Sequence, residues 1–190
     1  MRKKVVKRCA HWLVVSTLLF LCCGQGFSAE PIATGMDLPQ VTFQPPASDE
    51  AKQYLGLSSS DPFSLADIPA KLFLIEVFYI LCLDCQKTAP DVNKLFSFIQ
   101  KDSELSENVK MFGLGIRGDH KKLEIYSKQF RVKFPLIPDP ENEVFEKLGE
   151  PKIPFLMVLD SSGKVLLTHS GPIKSVDEFF SEIKKLHQQQ

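Results

Sequence analysis

The chain has 190 residues, 44% of them hydrophobic and 24% charged, a balance that excludes a disordered segment and a multi-span membrane protein. Its 23 basic and 23 acidic residues cancel, but residues 1–29 hold five of the basic ones and no acid, which leaves 18 against 23 over residues 30–190. A domain with that acidic excess has little attraction for nucleic acid or anionic lipid, and no nucleic-acid partner is expected.

Residues 2–8 are basic, residues 12–23 are apolar apart from Ser16 and Thr17, and Gly24 to Ala29 lead into Glu30-Pro31. Basic region, short apolar core and small-residue exit are the parts of a secretory signal peptide, and the apolar run is shorter than the ~20 residues of a membrane span. Residues 1–29 are therefore expected to be a signal, cleaved after Ala29 or kept as an anchor, with lipidation at Cys22 or Cys23 as the minor alternative. The domain is then exported, to a periplasmic or other extracytoplasmic location. Residues 30–36 are expected to be a short leader, 37–187 the domain and 188–190 a tail.

Residues 30–70 carry Pro31, Pro39, Pro45-Pro46, Pro62 and Pro69 with little helical periodicity, which predicts extended pieces and turns. Residues 71–81, KLFLIEVFYIL, read as a central strand buried on both faces. Over 86–102 the period switches, and Val92, Leu95, Phe96 and Ile99 line one face of a helix. A second strand over 109–117 and a helix over 120–131 follow, the latter opened by Gly118-Asp119-His120 with Asp119 as cap. Next come a short strand near 134–137 and a short helix over 141–148. Residues 155–160 and 164–169 form a hairpin through Ser161-Ser162-Gly163, with Gly163 in the left-handed position. The last helix opens at Ser175, with Glu178 completing a capping box. This order gives an α/β sandwich, parallel at first, with the hairpin adding an antiparallel edge.

Beyond residue 29 there are two cysteines, Cys82 and Cys85, separated by two residues at the junction of the first strand and the following helix. A pair so close contributes little loop-closure stabilisation. At a helix N-terminus, unpaired N–H groups and partial positive charge favour a thiolate at Cys82. Thiol–disulfide exchange needs an exposed nucleophile and a protected resolving thiol, roles that suit Cys82 and Cys85. Half of a zinc site would need two further ligands, and His120, His169 and His187 show no ligand spacing. A structural disulfide is the other alternative. Asp84, between the cysteines, repels a thiolate at Cys82, which makes the disulfide a weaker oxidant. It predicts a potential of about −200 mV or lower, far from the ~−120 mV of a strong oxidant such as DsbA.

The segment Glu76–Pro90, EVFYILCLDCQKTAP, resembles the active-site segment of thioredoxin-like proteins: an acid six residues before the first Cys, the CxxC, and a Pro five residues after the second. Lys152-Ile153-Pro154-Phe155 resembles their apolar residue and cis-proline opening the next strand. Together with the signal-like start, the DSSGKVL hairpin and Gly171-Pro172, these motifs make residues 37–187 similar to the TlpA/ResA-like exported thiol–disulfide oxidoreductases. The resemblance implies a three-layer sandwich with a mixed central sheet and helices on both faces. It also implies an oxidoreductase acting on proteins through a Cys82–Cys85 disulfide, with no cofactor and no metal. Glu76 becomes a buried acid relaying a proton to Cys85, and Pro154 faces the CxxC. Leu81, Leu83, Asp84 and Ile153 line a substrate groove whose rim is aliphatic, since Leu81 stands where the family usually has Trp. The implied partners are a disulfide-containing protein substrate and a membrane-side thiol–disulfide electron donor, with the reductase direction favoured. The rival readings are a copper carrier on the same fold, whose cysteines are usually spaced by three residues, and a thiol peroxidase, which would place Thr where this chain has Tyr79. A non-catalytic binding domain is a further rival.

Overall fold

The computed structural model describes residues 30–190, so the signal-like segment lies outside the described residues. Five strands form one sheet in the order β3-β2-β1-β4-β5. They are β1 (Leu72–Tyr79), β2 (Val109–Ile116), β3 (Leu136–Asp139), β4 (Phe155–Asp160) and β5 (Val165–Ser170). β1, β2 and β3 run parallel, while β4 is antiparallel to both β1 and β5. The predicted hairpin is therefore not wholly at the edge. Its first strand pairs with central β1 and only β5 lies outermost. Gly163 has φ +88 in the connecting turn, as the hairpin requires. Asp160 Oδ1 accepts from the Ser162 and Lys164 amides there.

Among the described residues six α-helices accompany the sheet: α1 (Asp49–Leu55), α2 (Leu83–Lys101), α3 (Ser103–Asn108), α4 (His120–Phe130), α5 (Glu143–Lys147) and α6 (Val176–His187). The pleat of β1 separates two cores. Leu72 and Leu74 face α2 and α6, packing with Val92, Leu95, Ile99, Phe179 and Ile183. Phe73, Ile75 and Val77 face the opposite side and meet Val144 and Phe145 of α5 and the N-terminal Ile32, Val41, Phe43 and Phe63. The result is a three-layer sandwich with a mixed sheet and helices on both faces.

Residues 30–70 hold more structure than their prolines suggest. α1 is capped by Ser48, whose Oγ accepts from the Ala51 amide, and is closed by Gly56 at φ +73. Tyr54 of α1 reaches the unpaired stretch of β2, where its hydroxyl oxygen accepts from the Met111 amide at 3.0 Å. Ile32 is buried and donates its amide to the Leu148 carbonyl. A seven-residue helix shows too few turns for a periodic signal, so its capping residues were the only mark it left. Asp119 caps α4 through the Lys122 amide at 2.8 Å, as expected. At α6 one half of the expected box forms, with Ser175 Oγ accepting from the Glu178 amide. His169 of β5 is half-buried, its ring edge-on to Phe179.

Candidate active site

β1 ends at Tyr79, two residues before the predicted strand end, and α2 starts at Leu83, three residues before the predicted helix start. The turn between them places Cys82 at the N-cap. Its Sγ accepts the Cys85 amide at 3.2 Å and its carbonyl accepts the Gln86 amide at 3.0 Å. A sulfur in this position does what a Ser or Asp cap does, taking up one of the orphan N–H groups of the first turn. The Gln86 side chain donates to the Ile80 carbonyl at 2.8 Å and ties the turn to the helix. Pro90 lies inside α2 without ending it.

The two thiols differ sharply in access. Cys82 is half-buried, whereas Cys85 is fully buried. Both are free thiols in this structure. Burial pushes the Cys85 thiol well up, the hydrogen bond to Cys82 and the nearby charges of Cys82 and Glu76 add to this, and a backbone hydrogen bond from Tyr79 opposes it. Among the described residues, no group of three or more His, Cys, Asp or Glu side chains is arranged to hold a metal ion.

Glu76 lies in the middle of β1, with Gly113 of β2 and Leu156 of β4 as its register partners. It is 3% exposed, its Oε1 has no hydrogen-bond partner, and burial raises its carboxyl from 4.5 to about 8. It shares its face with Leu74 and Phe78, toward α2. Gly113 supplies no side chain beside it. A Cβ there would come within 2.7 Å of Leu136 Cδ2 and 3.0 Å of Phe78 Cε1, so the wall is apolar and closed.

The Ile153–Pro154 bond is cis. Pro154 is buried and lies one residue before Phe155, the partner of Val77 near the end of β1. Ile153 is half-buried and packs, together with Cys82, on the cluster of Phe78, Cys85, Leu123 and Tyr126. The loop before β4 thus meets the first turn of α2. Leu81 and Leu83 flank Cys82 and stand 66% and 69% exposed, an apolar pair at the mouth of the site. Asp84 is exposed, and Lys87 Nζ lies 3.5 Å from its Oδ1. The fold therefore brings together Glu76, Leu81, Cys82, Leu83, Asp84, Cys85, Ile153 and Pro154.

Two partners of this group were not singled out from the sequence. Lys87, one turn after Asp84, was legible as an i,i+3 pair. Tyr126 lies on the apolar face of α4, and nothing in the sequence showed its hydroxyl reaching the Cys85 carbonyl at 3.5 Å.

Comparison with known proteins agrees with this architecture. No protein-family profile matches the chain. A thiol-disulfide oxidoreductase, ResA of Geobacillus thermodenitrificans, is 22% identical over 113 residues, which is 60% of this chain and 62% of ResA. The match thus spans less than two thirds of that relative's length. The crystal structure of the thioredoxin domain of a thiol-disulfide oxidoreductase from Bacteroides vulgatus superposes with a TM-score of 0.61 at 15% identity, covering 82% of this chain and 98% of that one. StoA from Bacillus subtilis gives 0.56 at 16% identity, covering 76% of this chain and 97% of StoA. A secreted Mycobacterium tuberculosis disulfide oxidoreductase homologous to Escherichia coli DsbE gives 0.54 at 17%, covering 73% of this chain and 99% of that one.

The sheet order, the cis-proline loop and the helix that opens on a CxxC define a thioredoxin-like protein. Within that class the chain is similar to the TlpA/ResA-like redoxins.

Proposed function

We propose that this chain is an exported thiol–disulfide oxidoreductase that reduces disulfides in other proteins through Cys82 and Cys85. The observation that carries the reading is the asymmetry of the pair: a half-exposed sulfur capping a helix N-terminus, with a fully buried thiol one turn behind it. The names borne by ResA, the Bacteroides vulgatus protein and the secreted Mycobacterium tuberculosis protein support the same chemistry.

In this reading the Cys82 thiolate attacks a substrate disulfide. A Cys82–substrate mixed disulfide forms and one substrate thiolate leaves. Cys85 then gives its proton to the Glu76 carboxylate and attacks the Cys82 sulfur. The second substrate thiolate leaves, so the two electrons end on the substrate's two sulfurs and Cys82–Cys85 is left as the oxidised disulfide. With its carboxyl raised to about 8, Glu76 is mostly protonated at neutral pH, so the carboxylate that takes the Cys85 proton is its minor form and the step should quicken as pH rises toward 8. Leu81, Leu83 and Ile153 form the apolar rim on which the substrate polypeptide settles, beside Pro154.

The reductase direction rests on Asp84, whose charge disfavours a thiolate at Cys82. Its effect is moderated by solvent and by Lys87. A reductase in an oxidising compartment needs a supply of electrons, here a membrane-side thiol–disulfide donor. Export follows from the basic and apolar segment of residues 1–29.

The test is a Cys85→Ser variant challenged with reduced and denatured secreted proteins that have been reoxidised. It should accumulate mixed disulfides through Cys82, and the wild type should turn over the same substrates when supplied with a dithiol. Absence of any mixed disulfide, with Cys82 still alkylatable, would overturn the reading.

A further inference from the structure

Glu76 belongs to a row of residues that crosses the sheet at one level. Its register partners are Leu156 of β4 on one side and Gly113 of β2 on the other, and Gly113 pairs in turn with Leu136 of β3. Register partners present their side chains to the same face, here the face toward α2. Gly113 has no side chain, so the space beside Glu76 is filled from the next strand. Leu136 Cδ2 lies 2.7 Å from where a Cβ of Gly113 would stand, with Phe78 Cε1 at 3.0 Å and Phe134 Cε2 at 3.2 Å. β3 is the edge of the sheet, and Leu136 is half-buried. Beyond it lies an open groove of about 400 Å³ between α1, α4 and the start of β3, with Tyr54, Leu123, Phe134 and Leu136 among its lining side chains. Along this row, one leucine side chain stands between the surroundings of the buried carboxyl and solvent. In the opposite direction Leu156 is 2% exposed and β5 follows. Toward α2 come Cys85, fully buried, and then Cys82 at the mouth.

We propose that Leu136 is a positioning residue that gates the proton exchange of Glu76 with solvent, the proton leaving over Gly113 into the groove. The gate is part of the proposed exchange reaction and rests on it. While Cys82 is bonded to a substrate polypeptide, the rim of Leu81, Leu83 and Ile153 is covered and the mouth is closed to water. Glu76 must nonetheless become a carboxylate before it can take the Cys85 proton, so the proton it already holds leaves by another way. It passes to a water molecule that enters from the groove when Leu136 swings aside. The Cys85 proton then takes its place on Glu76, and no electron moves in this exchange. A leucine hopping between rotamers at a half-buried position needs no movement of the backbone. Among the described residues, the titratable groups facing Glu76 are Cys85, with Cys82 beyond it, from α2 and Tyr126 from α4. β2, β3 and β4 present Gly113, Leu136 and Leu156, none of which titrates. The groove rim adds Glu50 of α1, His120, Glu124 and Lys128 of α4, and Lys133, all exposed to solvent.

The test compares Leu136→Ala, which opens the wall to the groove, with Leu156→Ala, which shortens the neighbour on the other side of Glu76. Two quantities are read: the Glu76 titration midpoint, followed by carbon NMR of its labelled carboxyl in the reduced protein, and the pH profile of resolution from a Cys82 mixed disulfide with a reoxidised secreted protein, followed by rapid acid quench. Water admitted from the groove solvates the carboxylate, so Leu136→Ala should lower the midpoint by about one pH unit. At pH values below both midpoints the carboxylate fraction, and with it the resolution rate, should rise about tenfold. Leu156→Ala leaves an enclosed apolar cavity that stays dry, and should lower thermal stability without moving the midpoint or the profile. Leu136→Val, the milder truncation to use if Leu136→Ala does not fold, should move the midpoint the same way by less. A midpoint unmoved by shortening Leu136, an equal fall in Leu156→Ala, or a midpoint that falls without any shift of the profile would each overturn the inference. A wild type that exchanges no disulfides would instead sink the proposed function, and the midpoints, which are read without any exchange, would still show whether Leu136 is the wall between Glu76 and the groove.

Discussion

Replacing Glu76 by Gln should abolish the pH dependence that this residue imposes on stability. Burial raises the carboxyl from 4.5 to about 8 in the folded protein. Between these values the unfolded chain has released a proton that the folded chain still holds. The unfolded state is then favoured as pH rises, by about 1.4 kcal/mol per pH unit. Glu76 therefore leaves stability intact below its unfolded value and removes it progressively up to the folded one. The full gap, from 4.5 to about 8, corresponds to a loss of about 5 kcal/mol at most. Gln does not titrate, but its amide enters a pocket where Oε1 has no partner, at a pH-independent cost of about 1–3 kcal/mol. Glu76→Gln should thus be the less stable protein at pH 5 and the more stable one at pH 8, with the curves crossing between about pH 5 and 7. Urea unfolding of both reduced proteins at pH 5, 6, 7 and 8 measures this. The Asp139 carboxyl is also raised by burial, but it titrates in both proteins and cancels in the difference. Parallel curves over this range would refute the burial argument, since they would mean that Glu76 ionises in the folded state as readily as in the unfolded one.

Brief alkylation of the reduced domain, followed by peptide mapping, should label Cys82 well before Cys85, because only the first is accessible; equal labelling would reverse the assigned roles. Asp84→Asn should raise the redox potential measured against glutathione by only about 20 mV, since an exposed charge paired with Lys87 is worth at most about 1 kcal/mol. A drop in potential would remove Asp84 from the account. Gly113→Ala should destabilise by about 1–3 kcal/mol in urea titrations, because its Cβ would sit 2.7 Å from Leu136 Cδ2 and 3.0 Å from Phe78 Cε1. A neutral effect would show that the wall beside Glu76 yields.

Each strand and each helix of more than seven residues was legible, because their signals are repeated. β1 is a continuous apolar run, and α2, α4 and α6 show an apolar face at helical spacing. Boundaries shifted where a local interaction outranked the pattern. The apolar run 71–81 continues to Leu81, yet β1 stops at Tyr79 because Cys82 caps the helix and the chain must turn first. α1 and α3, at seven and six residues, left no periodic signal, although the still shorter α5 falls within the helix predicted over 141–148. In the site, Cys82 and Cys85 stood out by spacing, Glu76 and Pro154 by resemblance to the thioredoxin-like motifs, and Leu81, Leu83, Asp84 and Ile153 by adjacency.

What the sequence determined by itself was the set of residues near the β1–α2 junction, since they are neighbours along the chain or recur at a recognisable distance. Tertiary structure alone decided their environment. The apolar side chain missing at Gly113, the absent donor at Glu76 Oε1 and the reach of Tyr126 to Cys85 each depend on elements far apart in sequence packing against one face of the sheet. A carboxyl's tendency to hold its proton is set by the solvent it loses and the partners it gains, and both are properties of that packing rather than of the residue.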